Sequence, residues 1–107
     1  MIKNLTQLKR QLTAGVGFKI TGHCRPEMVG ERRRVTVANT QGFYSVIPDD
    51  PEAKTSKANG GRGPVVWWST APYWGFENGV CSRYDNDQEH NEEHLIIAFQ
   101  VDEAGGL

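Results

Sequence analysis

Residues 73–84 read Tyr73-Trp74-Gly75-Phe76-Glu77-Asn78-Gly79-Val80-Cys81-Ser82-Arg83-Tyr84. At their centre, Asn78-Gly79 is the pair that most readily takes two successive left-handed conformations, as a two-residue type I′ turn requires. The spacing predicts a hairpin with arms at 73–77 and 80–84. Glu77 then faces Val80, Phe76 faces Cys81, Trp74 faces Arg83 and Tyr73 faces Tyr84. Strand alternation places Trp74, Phe76, Cys81 and Arg83 on one face, with Phe76 and Cys81 in the core and Trp74 stacked on Arg83 near its edge.

The same period of two extends outward in both directions. Downstream, 94–101 reads as a strand with Leu95, Ile97, Phe99 and Val101 inward, and 102–107 as a frayed tail. Upstream, 64–69 is a strand carrying adjacent Trp67 and Trp68. Both cannot face the core of a one-layer sheet, so one belongs at a surface, under a helix or under a loop. The polar, Gly/Pro-rich stretch 48–63 reads as one long surface loop, a length that is often functional or mobile. Asn39-Thr40-Gln41-Gly42 is a turn between strands 32–39 and 42–47. In the first of these, Arg33, Val35 and Val37 alternate with Arg32, Arg34 and Thr36. In 17–24, Phe18, Ile20, Gly22 and Cys24 alternate with Lys19, Thr21 and His23, which turns Cys24 inward, and Arg25-Pro26-Glu27 breaks the run.

At the N-terminus the period changes to that of a helix over 4–14. Asn4 is an N-cap with Gln7 three residues on; Leu5, Leu8 and Leu12 share a face, and Gly15 or Gly17 supplies the stop. A helix of two to three turns is unstable alone and must cover the sheet. The fold class is therefore α+β, mainly antiparallel β. A short N-terminal helix packs on a curved sheet or partly open small barrel of about six strands, in one domain over 1–107.

Composition agrees with a packed interior: 37% of residues are apolar, and there are three Trp, three Tyr and four Phe. The longest apolar runs, 65–68 and 95–99, fall far short of the roughly 20 residues that cross a bilayer. No apolar stretch follows Lys3, so no signal peptide is expected, and the reading is a cytoplasmic protein without a membrane partner. Cys24 and Cys81 are expected to be free thiols. Net charge is only −1, yet its distribution is lopsided. Residues 1–70 hold eleven Lys/Arg against five Asp/Glu, and residues 71–107 hold one Arg against eight acids. Compact β topologies pair distant segments, so the two halves are expected to interleave and neutralise each other.

Motifs that carry chemistry are few. His90-Asn91-Glu92-Glu93-His94 matches the H-x-x-E-H pattern of a zinc peptidase class, but that motif needs a sustained helix, and Leu95-Ile96-Ile97-Ala98-Phe99 follows at once as strand. His23, Cys24, Cys81, His90 and His94 have residue types that suit zinc but lack knuckle spacing. Nothing orders Cys24 or Cys81 with a His as a nucleophilic dyad. Asp85-Asn86-Asp87 opens like a calcium loop but lacks its Gly and closing Glu. Asn59-Gly60-Gly61-Arg62-Gly63, near Lys54 and Lys57, could cradle an anion but lacks the ending of a nucleotide loop. No catalytic residue, metal or cofactor is expected.

The remaining constellation is basic and aromatic: Arg25, Arg32, Arg33, Arg34 and Arg62 with Trp67, Trp68, Tyr73 and Trp74. In addition, the stretch from His23-Cys24-Arg25-Pro26-Glu27 through Thr40-Gln41-Gly42-Phe43-Tyr44-Ser45 to Trp74-Gly75-Phe76-Glu77-Asn78-Gly79-Val80-Cys81 resembles small uncharacterised proteins of gut Firmicutes and their mobile elements. The resemblance covers most of the chain. It implies a compact bacterial or phage-derived accessory domain and carries over no functional residue. The expected function is a binding module that docks on a protein partner through Trp67, Trp68 and the 48–63 loop. The alternative is a single-stranded nucleic-acid binder using Arg32, Arg33, Arg34 and exposed aromatics. A zinc-dependent hydrolase through His90 and His94 comes third.

Overall fold

The computed structural model describes residues 1–47 and 65–102; the expected loop at 48–63, with Arg62, and most of the 102–107 tail lie outside them. Helix α1 spans Leu5–Gln11, shorter than the expected 4–14. The Asn4 side chain accepts a hydrogen bond from the Gln7 N–H (2.9 Å). Gln7 reaches back to the Lys3 N–H (2.8 Å), one residue before the cap itself. Leu12 closes the helix with its N–H on the Leu8 carbonyl, and Gly15, at φ 95°, donates to Val35 and hands the chain to the sheet.

All seven expected strand segments form, and all seven join one antiparallel sheet, where about six strands were expected. They are β1 (Gly17–His23), β2 (Arg32–Ala38), β3 (Gly42–Val46), β4 (Val65–Trp67), β5 (Trp74–Glu77), β6 (Val80–Tyr84) and β7 (Leu95–Val101). Their order is β4-β3-β2-β1-β7-β6-β5, and the sheet does not close into a barrel. The β5–β6 hairpin has the register that its turn specifies, Glu77 on Val80 through Trp74 on Arg83, with Asn78 at φ 53° and Gly79 at φ 80°. One expected pair is corrected. Tyr73 belongs to a 3-10 turn (Ala71–Tyr73), and Tyr84 pairs with Leu95 instead.

One face of the sheet carries the core. Leu5, Leu8 and Leu12 of α1, with Ile2, pack on Phe18, Ile20, Val35, Phe43, Trp68, Trp74, Cys81, Ile97 and Phe99. Phe43 meets both Phe18 and Phe99 with ring centroids 5.8 Å apart, edge to face.

Three register shifts revise the simple alternation. The first, between Ile20 and Gly22, sets His23 opposite Ile97 on the core side, so Cys24 is exposed rather than inward. The second, between Val35 and Val37, pairs Val37 with Tyr44 on the outer face. The third, at Arg83/Tyr84, takes Leu95 from its expected inward position to the outer face, beside Gly22 and Ala98. A bulge adds one residue to one strand, so every side chain beyond it changes face.

The strand order also overturns the expected charge neutralisation. β1 to β4 come from the basic part of the chain and β5 to β7 from the acidic part; among the described residues the two sets of strands share a ladder only where β1 pairs with β7. Residues 1–47 hold eight Lys/Arg against two acids, and residues 65–102 hold one Arg against seven acids. Among the described residues the charges thus fall into a basic block and an acidic block, bridged by Arg32 and Asp102.

Candidate functional site

The outer face of β1 to β4, opposite α1, gathers basic and aromatic side chains by register alone. Lys19 lies directly opposite Arg32, and Gly17 opposite Arg34. Arg34 in turn lies opposite Val46, and Val37 opposite Tyr44. Tyr44 is next to Val65, and Gly42 to Trp67. Partners directly across an antiparallel pair share a face. One side of the sheet therefore presents Lys19, Arg32 and Arg34 at one end and Tyr44 and Trp67 at the other. Trp67 is 49% exposed, while Lys19 and Arg34 are exposed as well. Arg32 has 68% of its side chain in solvent and pairs with Asp102 at 3.5 Å. An ion pair so open is worth at most about 1 kcal/mol and leaves the guanidinium available to another anion.

Gly42 makes this geometry possible. A Cβ there would collide with the Val66 carbonyl oxygen and press on the Trp67 Cα, so only glycine lets β4 lie close to β3.

The other residues singled out in the sequence have different fates. Trp68, next to the exposed Trp67, is 2% exposed, packs on Phe43, and donates its Nε1–H to the Asn39 carbonyl (2.8 Å). Trp74 is 4% exposed; it stacks on Phe76 rather than on Arg83 at an edge, and donates Nε1–H to the Trp68 carbonyl (2.6 Å). Neither indole is a surface anchor. Both turn inward because the core beside α1 takes large rings and backbone carbonyls there accept their N–H groups. Arg33, opposite Phe18, is buried. Its Nε donates to the Ser45 Oγ (2.8 Å), Nη2 to the Ser45 carbonyl (3.0 Å) and Nη1 to Glu31 (2.8 Å). It is a structural arginine and drops out of the basic face. Arg25 is exposed but lies beyond the end of β1, just before the 3-10 turn Pro26–Met28, and so is not aligned on the outer face by strand register. Lys19 and Tyr44 are members that the sequence reading missed. Their signal was present, since Lys19 lies between inward Phe18 and Ile20, and Tyr44 between Phe43 and Ser45.

The H-x-x-E-H residues are held apart. Residues 92–94 form a single 3-10 turn, not a sustained helix. His90 stacks on Tyr84 (4.6 Å, 7°) and donates from Nε2 to the Pro72 carbonyl (2.8 Å). The Nδ1 of His94 donates to Asp87 (3.0 Å), which also accepts the N–H groups of Glu89 and Asn91. Each imidazole has its own role in fixing the 85–94 loop. Among the described residues no three His, Cys, Asp or Glu side chains form a group that could hold a metal ion, and no helix is long and apolar enough to cross a membrane.

No protein-family model, curated protein or solved structure matches the chain.

Proposed function

We propose that the protein is a binding module for single-stranded nucleic acid, and that the outer face of β1 to β4 is the contact surface. One observation carries this reading: register places exposed Trp67 and half-buried Tyr44 on the same face as Lys19, Arg32 and Arg34. Bases stack on aromatic rings whatever their identity, while cations track the phosphates. An overall charge near zero does not oppose this reading, because β1 to β4 form the basic part of the sheet and most of the acidic residues follow in β5 to β7 and their connections.

The test is a titration with a short fluorescent oligothymidylate at several salt concentrations. Three cations on the face predict a slope of log K against log [salt] of about −2. Trp67→Ala is expected to lower affinity about tenfold, in line with loss of one stacked base. Arg32→Ala with Arg34→Ala should flatten the salt slope. Salt-independent binding, or affinity unmoved by either change, rejects the reading.

Docking of a protein partner is the second reading. The exposure of Trp67 on β4, at an edge of the sheet, favours it. A complex lost with Trp67→Ala but insensitive to salt and to Arg32/Arg34 replacement would select it.

A further inference from the structure

On the core side of the sheet, a cavity of about 240 Å³ opens between β1, β7, the β3–β4 pair and the Pro26–Met28 turn. Ile20, Met28, Val66 and Ile97 give it apolar walls, and His23, Cys24 and Arg33 also line it.

The polar groups here are matched to an acceptor. The Nδ1 of His23 accepts the Arg25 N–H at 2.9 Å. This fixes the tautomer in which Nε2 carries the proton and donates. Burial and the neighbouring Arg25 hold the imidazole below its usual pKa, so it is neutral near pH 7. Arg33 commits three N–H groups to Ser45 and Glu31, and a guanidinium has five. Its position is set by those bonds and needs no ordering when a ligand arrives. An imidazole N–H and a fixed guanidinium inside apolar walls suit a carboxylate with a compact hydrophobic body. The volume equals that of roughly eight waters in the liquid, about the size of a single ring bearing a carboxylate.

We propose that this cavity is a binding site for a small organic carboxylate, with His23 and Arg33 as donors to the head group and Ile20, Met28, Val66 and Ile97 around the apolar body. The site shares only Val65 with the outer face of the sheet, and its test does not depend on oligonucleotide binding.

Cys24 at the rim is a built-in reporter. It is exposed, whereas Cys81 is buried and silent. The experiment measures the rate at which iodoacetamide alkylates Cys24 of the folded protein in the presence of benzoate or of benzyl alcohol. Benzoate should slow the reaction saturably, at least fivefold, with a half-effect on the order of 1 mM for so small a ligand. Benzyl alcohol should have little effect. Met28→Trp, which fills the cavity from a half-exposed position, should abolish the response to benzoate, and His23→Gln should weaken it severalfold. Arg33→Met is the direct test of the guanidinium; because Arg33 is buried, the Met28 and His23 variants keep the proposal testable if that chain fails to fold. An unchanged rate, protection that rises without saturating, equal protection by benzyl alcohol, or full protection in Met28→Trp overturns the proposal. Protection of Cys24 by the oligothymidylate in place of benzoate overturns it as well.

Discussion

Cys24 and Cys81 show how position within a strand decides chemistry. Both lie in alternating stretches, yet Cys81 is packed beside Phe99 and Phe76, and burial pushes its thiol up to about 12. Cys24 lies beyond a register shift and reaches solvent. The native protein is expected to release one equivalent of thiolate with a disulfide reagent at pH 8, and a second only in denaturant. Two fast equivalents in the native state would contradict the packing. Asp87 and His94 give a pH signature at the same scale. The hydrogen bond from His94, then the N–H of Asn91, hold the Asp87 carboxyl well below the usual range, while the same bond to Asp87 raises His94. A depressed acid stabilises above its unfolded value of about 4 and loses that contribution as pH falls through its folded value. A raised histidine stabilises below about 6.5 and loses its contribution as pH rises through its folded value. The 85–94 loop is therefore firmest in the weakly acidic range between those two titrations. In Asp87→Asn the His94 pKa should return toward about 6.5, read from its ring protons by NMR; a value that does not move would separate the two residues.

At the scale of elements, two glycines connect backbone geometry to the proposed surface. Gly79 holds a left-handed conformation in the hairpin turn, and Gly79→Ala should cost about 1 kcal/mol in urea denaturation, since an L side chain is strained there. Oligonucleotide affinity should fall far less than in a change beside Trp67, because the turn ends the row Val80, Gln100, Lys19 and Arg32 but carries no stacking ring. Gly42→Ala is the contrasting case. Its Cβ would force β4 away from β3 and take Trp67 with it. We expect oligonucleotide affinity to fall in Gly42→Ala while the helix and the β5–β7 half retain their amide protection from hydrogen exchange. Global loss of protection would show that the β3–β4 contact supports the whole core.

At the scale of the molecule, strand order converts an uneven distribution of charge along the chain into a spatial one. A protein with net charge −1 and interleaved charges would hardly bind a cation exchanger. With a basic β1–β4 side and an acidic β5–β7 side, it should be retained at low ionic strength on both cation and anion exchangers at pH 7, and leave both at a few hundred millimolar salt. Passage through the cation exchanger without delay would refute a basic face of the strength argued here. Much of this architecture was legible in the chain. Asn4 and Gln7 mark the helix start, Asn78-Gly79 sets a register that holds to Trp74–Arg83, and the alternation from Phe18 to Ile20 names the first core positions. These signals are local: each depends on the backbone preferences of a few neighbouring residues. The candidate surface was legible only in part. Arg32 and Arg34 stood out, Arg33 was grouped with them, and Lys19 and Tyr44 passed unmarked.

Side-chain type and spacing by themselves determined the helix, the strand segments, the hairpin turn and the requirement that one of Trp67 and Trp68 leave the core. Tertiary structure alone decided which tryptophan it is, where Cys24 and Leu95 point, and that Arg33 is held by Ser45 and Glu31 inside. It also decided that the basic and acidic strands lie side by side as two blocks instead of interleaving. The physical reason is that bulges and strand order are settled by contacts between segments distant in the chain, and a single-residue shift in those contacts exchanges the two faces of a strand.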